Sequence, residues 1–266
     1  MIPLSEPAIR AQLQQSTWDK SIAFHLFSTI DSTNQFLKTV CSEQDYLVCC
    51  AETQTAGRGR FGRQWASPFG ENIYFSCKMR LHKPFAELSG LSLVMGLALL
   101  KSLKTGGIRD KLTLKWPNDL MWEDKKLGGI LIELADTNSN GTDLIIGIGI
   151  NVNTENTTHL STKPSTSLFA ITGRTWDRNG LIAELLIAMD SYLLRFLEQG
   201  FAGFYAEWNA NDYLTGKDIV IFNAQTVING VACGVNALGQ LGLIDETGGH
   251  RYFASGEASL SEVRGG

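Results

Sequence analysis

The chain has 266 residues, with 27 Asp and Glu against 23 Lys and Arg for a formal charge of −4, and 44% of its residues are hydrophobic. At roughly 150 residues per domain this predicts about two domains, with enough core to fold without a disulfide or a metal. A mildly acidic chain has no overall field to draw it onto DNA or anionic lipid, so an anionic ligand must meet local positive charge.

Cys41, Cys49, Cys50, Cys77 and Cys233 form no CxxC pair and the histidines are scattered, which argues against a disulfide framework and a zinc site. Free thiols, and a start without a basic and then apolar leader, predict a cytoplasmic protein. The longest apolar stretch, residues 88–100, falls short of the roughly 20 residues that cross a bilayer and reads as a buried helix.

In chain order, residues 6–15 read as a short helix and 21–27 as a first strand. Asp31, Ser32, Thr33 and Asn34 precede Gln35, Phe36, Leu37 and Val40, as capping residues that open a second helix. Residues 46–51 and 73–79 have strand composition. Between them, residues 53–70 hold glycine or proline at five positions and no acid, the mark of a long, mobile, positively charged loop. After the helix at 88–100 come strands at 112–115, 128–134 and 144–152. A helix begins at Asp177, with apolar positions 182, 185, 186, 189, 193, 196 and 197, and closes at Gly200; residues 201–214 read as one more helix. From Thr215 the texture changes to short runs at 218–222, 226–235 and 241–244, which predict a small antiparallel barrel appended to an α+β domain.

Gly57-Arg58-Gly59-Arg60-Phe61-Gly62 matches GxGxxG, but no helix opens after the glycines as a dinucleotide fold requires. A Walker loop and the kinase HRD and DFG motifs are missing as well. Arg58, Arg60 and Arg63 place three guanidinium groups within six residues, with Trp65 behind them to stack on a base. A solvated basic loop fits the composition equally, though the alternating glycines favour close approach of backbone to a ligand.

At 144–152, Ile146, Ile148, Ile150 and Val152 share one strand face, while Ile145, Gly147, Gly149 and Asn151 share the other. That bare second face suits a flat ligand or a closely packed helix. Lys115-Trp116-Pro117-Asn118-Asp119 ends a strand in a turn, where Lys115 and Asp119 suit phosphate and Mg²⁺ or are simply turn residues. Lys126 opens the next strand; Glu133, on the face of Gly129 and Leu131, reads as a cleft carboxylate or as an edge charge.

Taken in order, Ser32-Thr33-Asn34, Gln54 with the arginine loop to Trp65, KWPND, KLGGILIE and GIGINVN make the chain resemble the biotin protein ligases from about residue 28 to 153, and more diffusely beyond. The resemblance implies an α+β catalytic domain over 1–214, with a mixed and antiparallel sheet of class II aminoacyl-tRNA synthetase type, and an SH3-like barrel over 215–266. It implies two steps: ATP with Mg²⁺ activates biotin as biotinyl-5′-AMP, and a lysine of the biotin carboxyl carrier protein of acetyl-CoA carboxylase then takes the biotin.

By the same matching, Ser32, Thr33, Asn34 and Gln54 bind the ureido end of biotin, and Gly129, Gly147 and Gly149 flank its rings. Gly57, Arg58, Gly59 and Arg60 close over the activated acid. Arg63, Trp65, Lys115, Asn118 and Asn151 join Arg58, Arg60 and Lys126 around the adenylate. Lys126 also binds biotin, through contact with its carboxylate as well as the phosphate; Lys126, Arg60, Asp119 and Lys115 are the implied catalytic set, with Asp119 toward Mg²⁺. With about 20 residues ahead of the first strand, the resemblance is to the ligase-only form, a monomer or weak homodimer without a DNA or membrane partner. The rival enzyme is a lipoate ligase or octanoyl transferase; a non-catalytic nucleic-acid binder fits the acidic balance poorly.

Overall fold

The computed structural model describes residues 2–41, 43–108, 111–138, 141–223 and 226–261. The last few residues of the predicted barrel lie outside this set. Helix α1 (Glu6–Leu13) starts at Ser5, whose hydroxyl accepts from the Ala8 N–H, and leads into β1 (Ile22–Ile30). Helix α2 (Thr33–Thr39) then crosses to β2 (Tyr46–Gln54), which lies parallel to β1. Strands β3 (Ile73–Leu81), β4 (Leu112–Lys115), β5 (Asp119–Trp122), β6 (Lys125–Asn138) and β7 (Gly141–Ile150) complete a seven-stranded sheet in the order β1-β2-β3-β7-β6-β5-β4, antiparallel beyond β2.

Helices α3 (Leu91–Thr105) and α5 (Arg178–Gln199) cover one face of this sheet. Leu97, Leu99, Ile146 and Ile148 are buried in one core, each contributing about 1.5–3 kcal/mol relative to exposure. Asp177 caps α5 by accepting from the Asn179 and Gly180 N–H groups, and Gly200 ends it at φ +60°, as predicted from the sequence. The 88–100 stretch holds α3 but begins too early: Gly90 turns left-handed at φ +82° against the Phe201 ring, and the helix starts after it.

Residues 201–214 are not one helix. After a 3₁₀ turn and α6 (Tyr205–Asn209), the chain straightens and closes the edge of the sheet: the Leu114 N–H donates to Asn211 O and the Tyr213 N–H to Leu114 O, both at 2.8 Å. Those bonds satisfy backbone groups that an uncovered edge strand leaves open, and they outweigh the helical pattern. A short helix, α4 (Leu168–Thr172), and the strand β5 escaped the sequence pattern.

Beyond α6, strands β8 (Asp218–Asn223), β9 (Thr226–Val235), β10 (Leu241–Ile244), β11 (His250–Phe253) and β12 (Glu257–Leu260) form a separate antiparallel sheet in the order β11-β10-β9-β8-β12. The Trp116 indole N–H reaches Gly239 O at 3.2 Å, joining the turn between β9 and β10 to the end of β4. No described helix is long and apolar enough to cross a membrane.

Candidate active site

Strand register builds the floor of a cleft. Ser76 of β3 lies opposite Gly147 of β7, which lies opposite Leu131 of β6; one row along, Tyr74, Gly149, Gly129 and Asp119 align in the same way. Three of these seven positions are glycine, which leaves a low floor between the side chains of Tyr74, Ser76, Leu131 and Asp119. The parallel pairing of β1 with β2 sets Ile30 beside Gln54, so the start of α2 and the start of the arginine loop emerge together at one end of that floor.

There the capping residues turn away from capping. Ser32 makes no capping bond through its side chain, and Asp31 accepts from the Ser32 N–H instead. The Thr33 N–H and hydroxyl donate to Gln54 Oε1 at 2.9 and 3.1 Å, and Ser76 Oγ lies 2.7 Å from Thr33 Oγ1 and 2.5 Å from Asn34 Oδ1. Ser32, Thr33, Asn34 and Ser76 are buried, a concentration of polar groups that a hydrophobic core alone does not require.

The loop at 53–70 is folded on itself as a narrow hairpin. The Gly59 N–H donates to Arg63 O at 2.7 Å and the Trp65 N–H to Gly57 O at 2.9 Å, while Phe61 and Gly62 turn the chain at φ +55° and +73°. Gly57 is required by crowding: a Cβ there would come within 2.5 Å of Trp65 O. Arg58 is held toward the α2 end, its guanidinium donating to Gln35 Oε1 at 3.1 Å. Arg60 donates to Gly256 O at 3.2 Å, and Arg63 pairs with Glu257 of β12.

The bare strand face has occupants from this chain. Asn34, from the helix N-terminus, fills the space over Gly147, and the flat body on Gly149 is the Trp65 indole, which a Cβ on Gly149 would approach to 2.5 Å. The helix packing left open by the sequence therefore occurs at Gly147, whereas the body over Gly149 is a side chain of the arginine loop. The Trp65 indole nitrogen is buried without a hydrogen-bond partner, a cost of about 1–3 kcal/mol.

At the far end Lys126 Nζ donates to Asp119 Oδ1 at 2.5 Å and lies 5.4 Å from the centre of the Trp65 ring. Burial lowers the Lys115 pKa against the pull of Asp119. The amides of Asn118 and Asn151 donate to Ile130 O and Thr166 O, at 2.7 and 3.0 Å.

Every residue implied by the sequence resemblance lines this cleft except Gly57, which supports the loop from behind. Sequence reasoning missed Ser76, Lys163 and Glu257. Lys163 donates to Glu257 at 2.9 Å; burial acts to raise the Glu257 pKa, but Arg63 and Lys163 outweigh it and hold it at about 2. The cleft thus carries six cationic side chains, Arg58, Arg60, Arg63, Lys115, Lys126 and Lys163, against the carboxylates Asp119 and Glu257, in a chain whose net charge is −4. No group of three or more His, Cys, Asp or Glu suited to a metal occurs among the described residues.

Residues 26–151 match the Biotin/lipoate A/B protein ligase family. The Bifunctional ligase/repressor BirA of Escherichia coli (strain K12) is 36% identical over 232 residues, covering 87% of this chain and 72% of that protein. The Biotin--[acetyl-CoA-carboxylase] ligase of Mycobacterium tuberculosis is 32% identical over 209 residues, covering 73% of this chain and 72% of the relative. Among solved structures, the biotin protein ligase from Aquifex aeolicus in complex with biotin and ATP superposes with a TM-score of 0.78 at 31% identity, over 90% of this chain and 98% of that one.

Proposed function

The chain belongs to the Biotin/lipoate A/B protein ligase family, among its biotin protein ligases, and from that premise we propose that its cleft joins biotin to ATP as biotinyl-5′-AMP and passes the biotin to a lysine of a biotin carboxyl carrier domain. The observation that carries this reading is the division of one continuous cleft into an end of neutral hydrogen-bonding groups, Ser32 to Asn34 with Gln54, and a cationic end around Lys126.

The uncharged end suits the ureido ring of biotin, a neutral group rich in donors and acceptors. The acid chain would then run past Asn34 and Trp65, which cover Gly147 and Gly149, toward Lys126. Attack of the biotin carboxylate on the α-phosphorus forms the mixed anhydride and expels pyrophosphate; a fixed ammonium beside the α-phosphate favours the charge that builds there. Arg60, Arg63, Lys115 and Lys163 offer counter-charges for the polyphosphate. Trp65 supplies a flat surface for adenine, and Asn118 and Asn151, with their N–H groups on backbone carbonyls, keep their amide oxygens for an exocyclic amine.

In the second step the lysine amine attacks the anhydride carbonyl and AMP leaves. The hairpin at 57–65, pinned to Gly256 through Arg60 and to Glu257 of β12 through Arg63, stands between the anhydride and water until the carrier docks.

Asp119 fits Mg²⁺ in the manner usual for nucleotide enzymes, one protein carboxylate with the rest of the shell from phosphates and water. When bound, the ion would neutralise phosphate charge. We assign residues 1–214 to the catalytic domain and 215–266 to a C-terminal domain that contributes Glu257 to the cleft.

The distinguishing test is ATP–pyrophosphate exchange with biotin or lipoate as the only acid. Biotin is expected to drive exchange and lipoate to leave it at background. Exchange driven by lipoate alone would overturn the assignment, since the uncharged end has no use for a dithiolane.

A further inference from the structure

Glu133 of β6 takes no direct part in this chemistry, yet two other segments of chain, α2 and the arginine loop, meet at its carboxylate. Asn34 Nδ2 donates to it at 2.8 Å, Lys38 Nζ donates at 2.7 Å, and the Arg58 guanidinium lies 3.5 Å away. Its side chain is only 16% exposed. Burial acts to raise its pKa, but the hydrogen bonds and charges of Lys38, Asn34 and Arg58 outweigh this and hold it below the ordinary carboxylate range.

An ionised carboxylate can only accept. Asn34 must therefore turn its Nδ2 toward Glu133, where the Leu131 carbonyl, at 3.5 Å, lies within reach of the same atom. Its Oδ1 then faces Ser76 Oγ at 2.5 Å and, being an acceptor, takes the single Ser76 proton. Ser76 is left as an acceptor toward Thr33, 2.7 Å away. The one hydroxyl proton of Thr33 is committed to Ser76 or to Gln54 Oε1, so its oxygen offers a lone pair. Gln54 Oε1 is occupied by the Thr33 N–H, which leaves Gln54 Nε2 as a donor with one proton toward Ser67 Oγ at 3.3 Å, and the Ser32 hydroxyl makes no hydrogen bond among the described residues.

Glu133 thus fixes the orientation of the Asn34 amide and, through it, the direction of the Ser76 proton, while the Thr33 N–H fixes Gln54. The result is an acceptor beside donors, the complement of a cyclic urea, whose carbonyl oxygen stands between N–H groups. A dithiolane ring offers nothing to either. We infer that Glu133 is a positioning residue that imposes hydrogen-bond polarity on this end of the cleft, and so determines selection of a ureido ring over the ring of lipoate. The inference rests on the biotin ligase reading above.

The test is ATP–pyrophosphate exchange with biotin, and separately with lipoate, in wild-type, Glu133→Gln, Glu133→Ala and Ser76→Ala enzymes. A Gln side chain can present either an acceptor or a donor to Asn34 and no longer dictates its orientation. KM for biotin is expected to rise about tenfold in Glu133→Gln, the worth of one mispaired buried polar contact, while kcat and KM for ATP change by less than about threefold. The preference for biotin over lipoate should narrow by the same factor.

Ser76→Ala deletes the hydroxyl between Asn34 and Thr33 without touching the carboxylate, and should reproduce the rise in KM even if the Glu133 variants fail to fold. An unchanged KM for biotin in a folded variant, or a fall in kcat at constant KM, would overturn the inference. A wild-type enzyme that binds and exchanges lipoate but not biotin would overturn the ligase reading first, and this inference with it.

Discussion

Lys126→Ala is expected to slow formation of biotinyl-5′-AMP by about 10²–10³-fold, the usual effect of deleting one fixed group that stabilises developing charge. Biotin affinity should change little. The physical reason lies in the separation of the two ends: the ureido contacts arise from α2, β2 and β3, whereas Lys126 opens β6 next to Asp119. Single-turnover measurement of pyrophosphate release, with biotin binding followed separately by calorimetry, distinguishes rate from affinity. Normal pyrophosphate release from Lys126→Ala would remove the lysine from the chemical step.

The second large effect is expected at Gly147. A Cβ on this residue would sit inside the Asn34 side chain, and the neighbouring β3 and β6 strands leave the backbone of β7 nowhere to retreat. Gly147→Ala must push Asn34, and with it the first turn of α2, away from Ser76 and Gln54. Overpacking of this kind costs about 1–3 kcal/mol, which is about five- to more than a hundredfold in biotin affinity when the displaced groups are the binding groups. Gly149→Ala offers the matched comparison, since its Cβ would meet the Trp65 indole, a side chain at the nucleotide end. Affinity for biotin should fall mainly in the first variant and affinity for ATP mainly in the second. Equal losses of both ligands in both variants, read by calorimetry, would contradict the division of the cleft.

Much of this site could be read before any fold was known, because its signals are local. Glycine between arginines marks a loop that must approach a ligand, and period-two alternation at 144–152 marks a strand with one bare face. The occupants of that face could not be read so: Trp65 and Asn34 come from 84 and 113 residues upstream of Gly149 and Gly147 respectively, and only the register of β3, β7 and β6 brings them there. Asp119 was legible as a candidate but its element was not, since the turn after Lys115 hides the short strand β5 that turns it toward Lys126.

Glu257 and Lys163 carry no local signal at all. β12 is four residues long, Glu-Ala-Ser-Leu, too short and too polar to stand out, and its importance comes from packing against the arginine hairpin. The predicted helix at 201–214 failed for a related reason. The periodicity was present, but the open edge of β4 made backbone hydrogen bonds with Asn211 and Tyr213 more favourable than another helical turn.

The central claim is that one cleft makes an acyl-adenylate, protects it and gives it to a lysine. Native mass spectrometry of the enzyme after a single turnover tests all three parts at once. With biotin and Mg²⁺-ATP but no acceptor, each chain should retain one biotinyl-5′-AMP; on addition of a biotin carboxyl carrier domain, that species should disappear as biotin arrives on one carrier lysine. Transfer to the carrier with no adenylate ever retained on the enzyme, or a retained adenylate that the carrier cannot discharge, would contradict it.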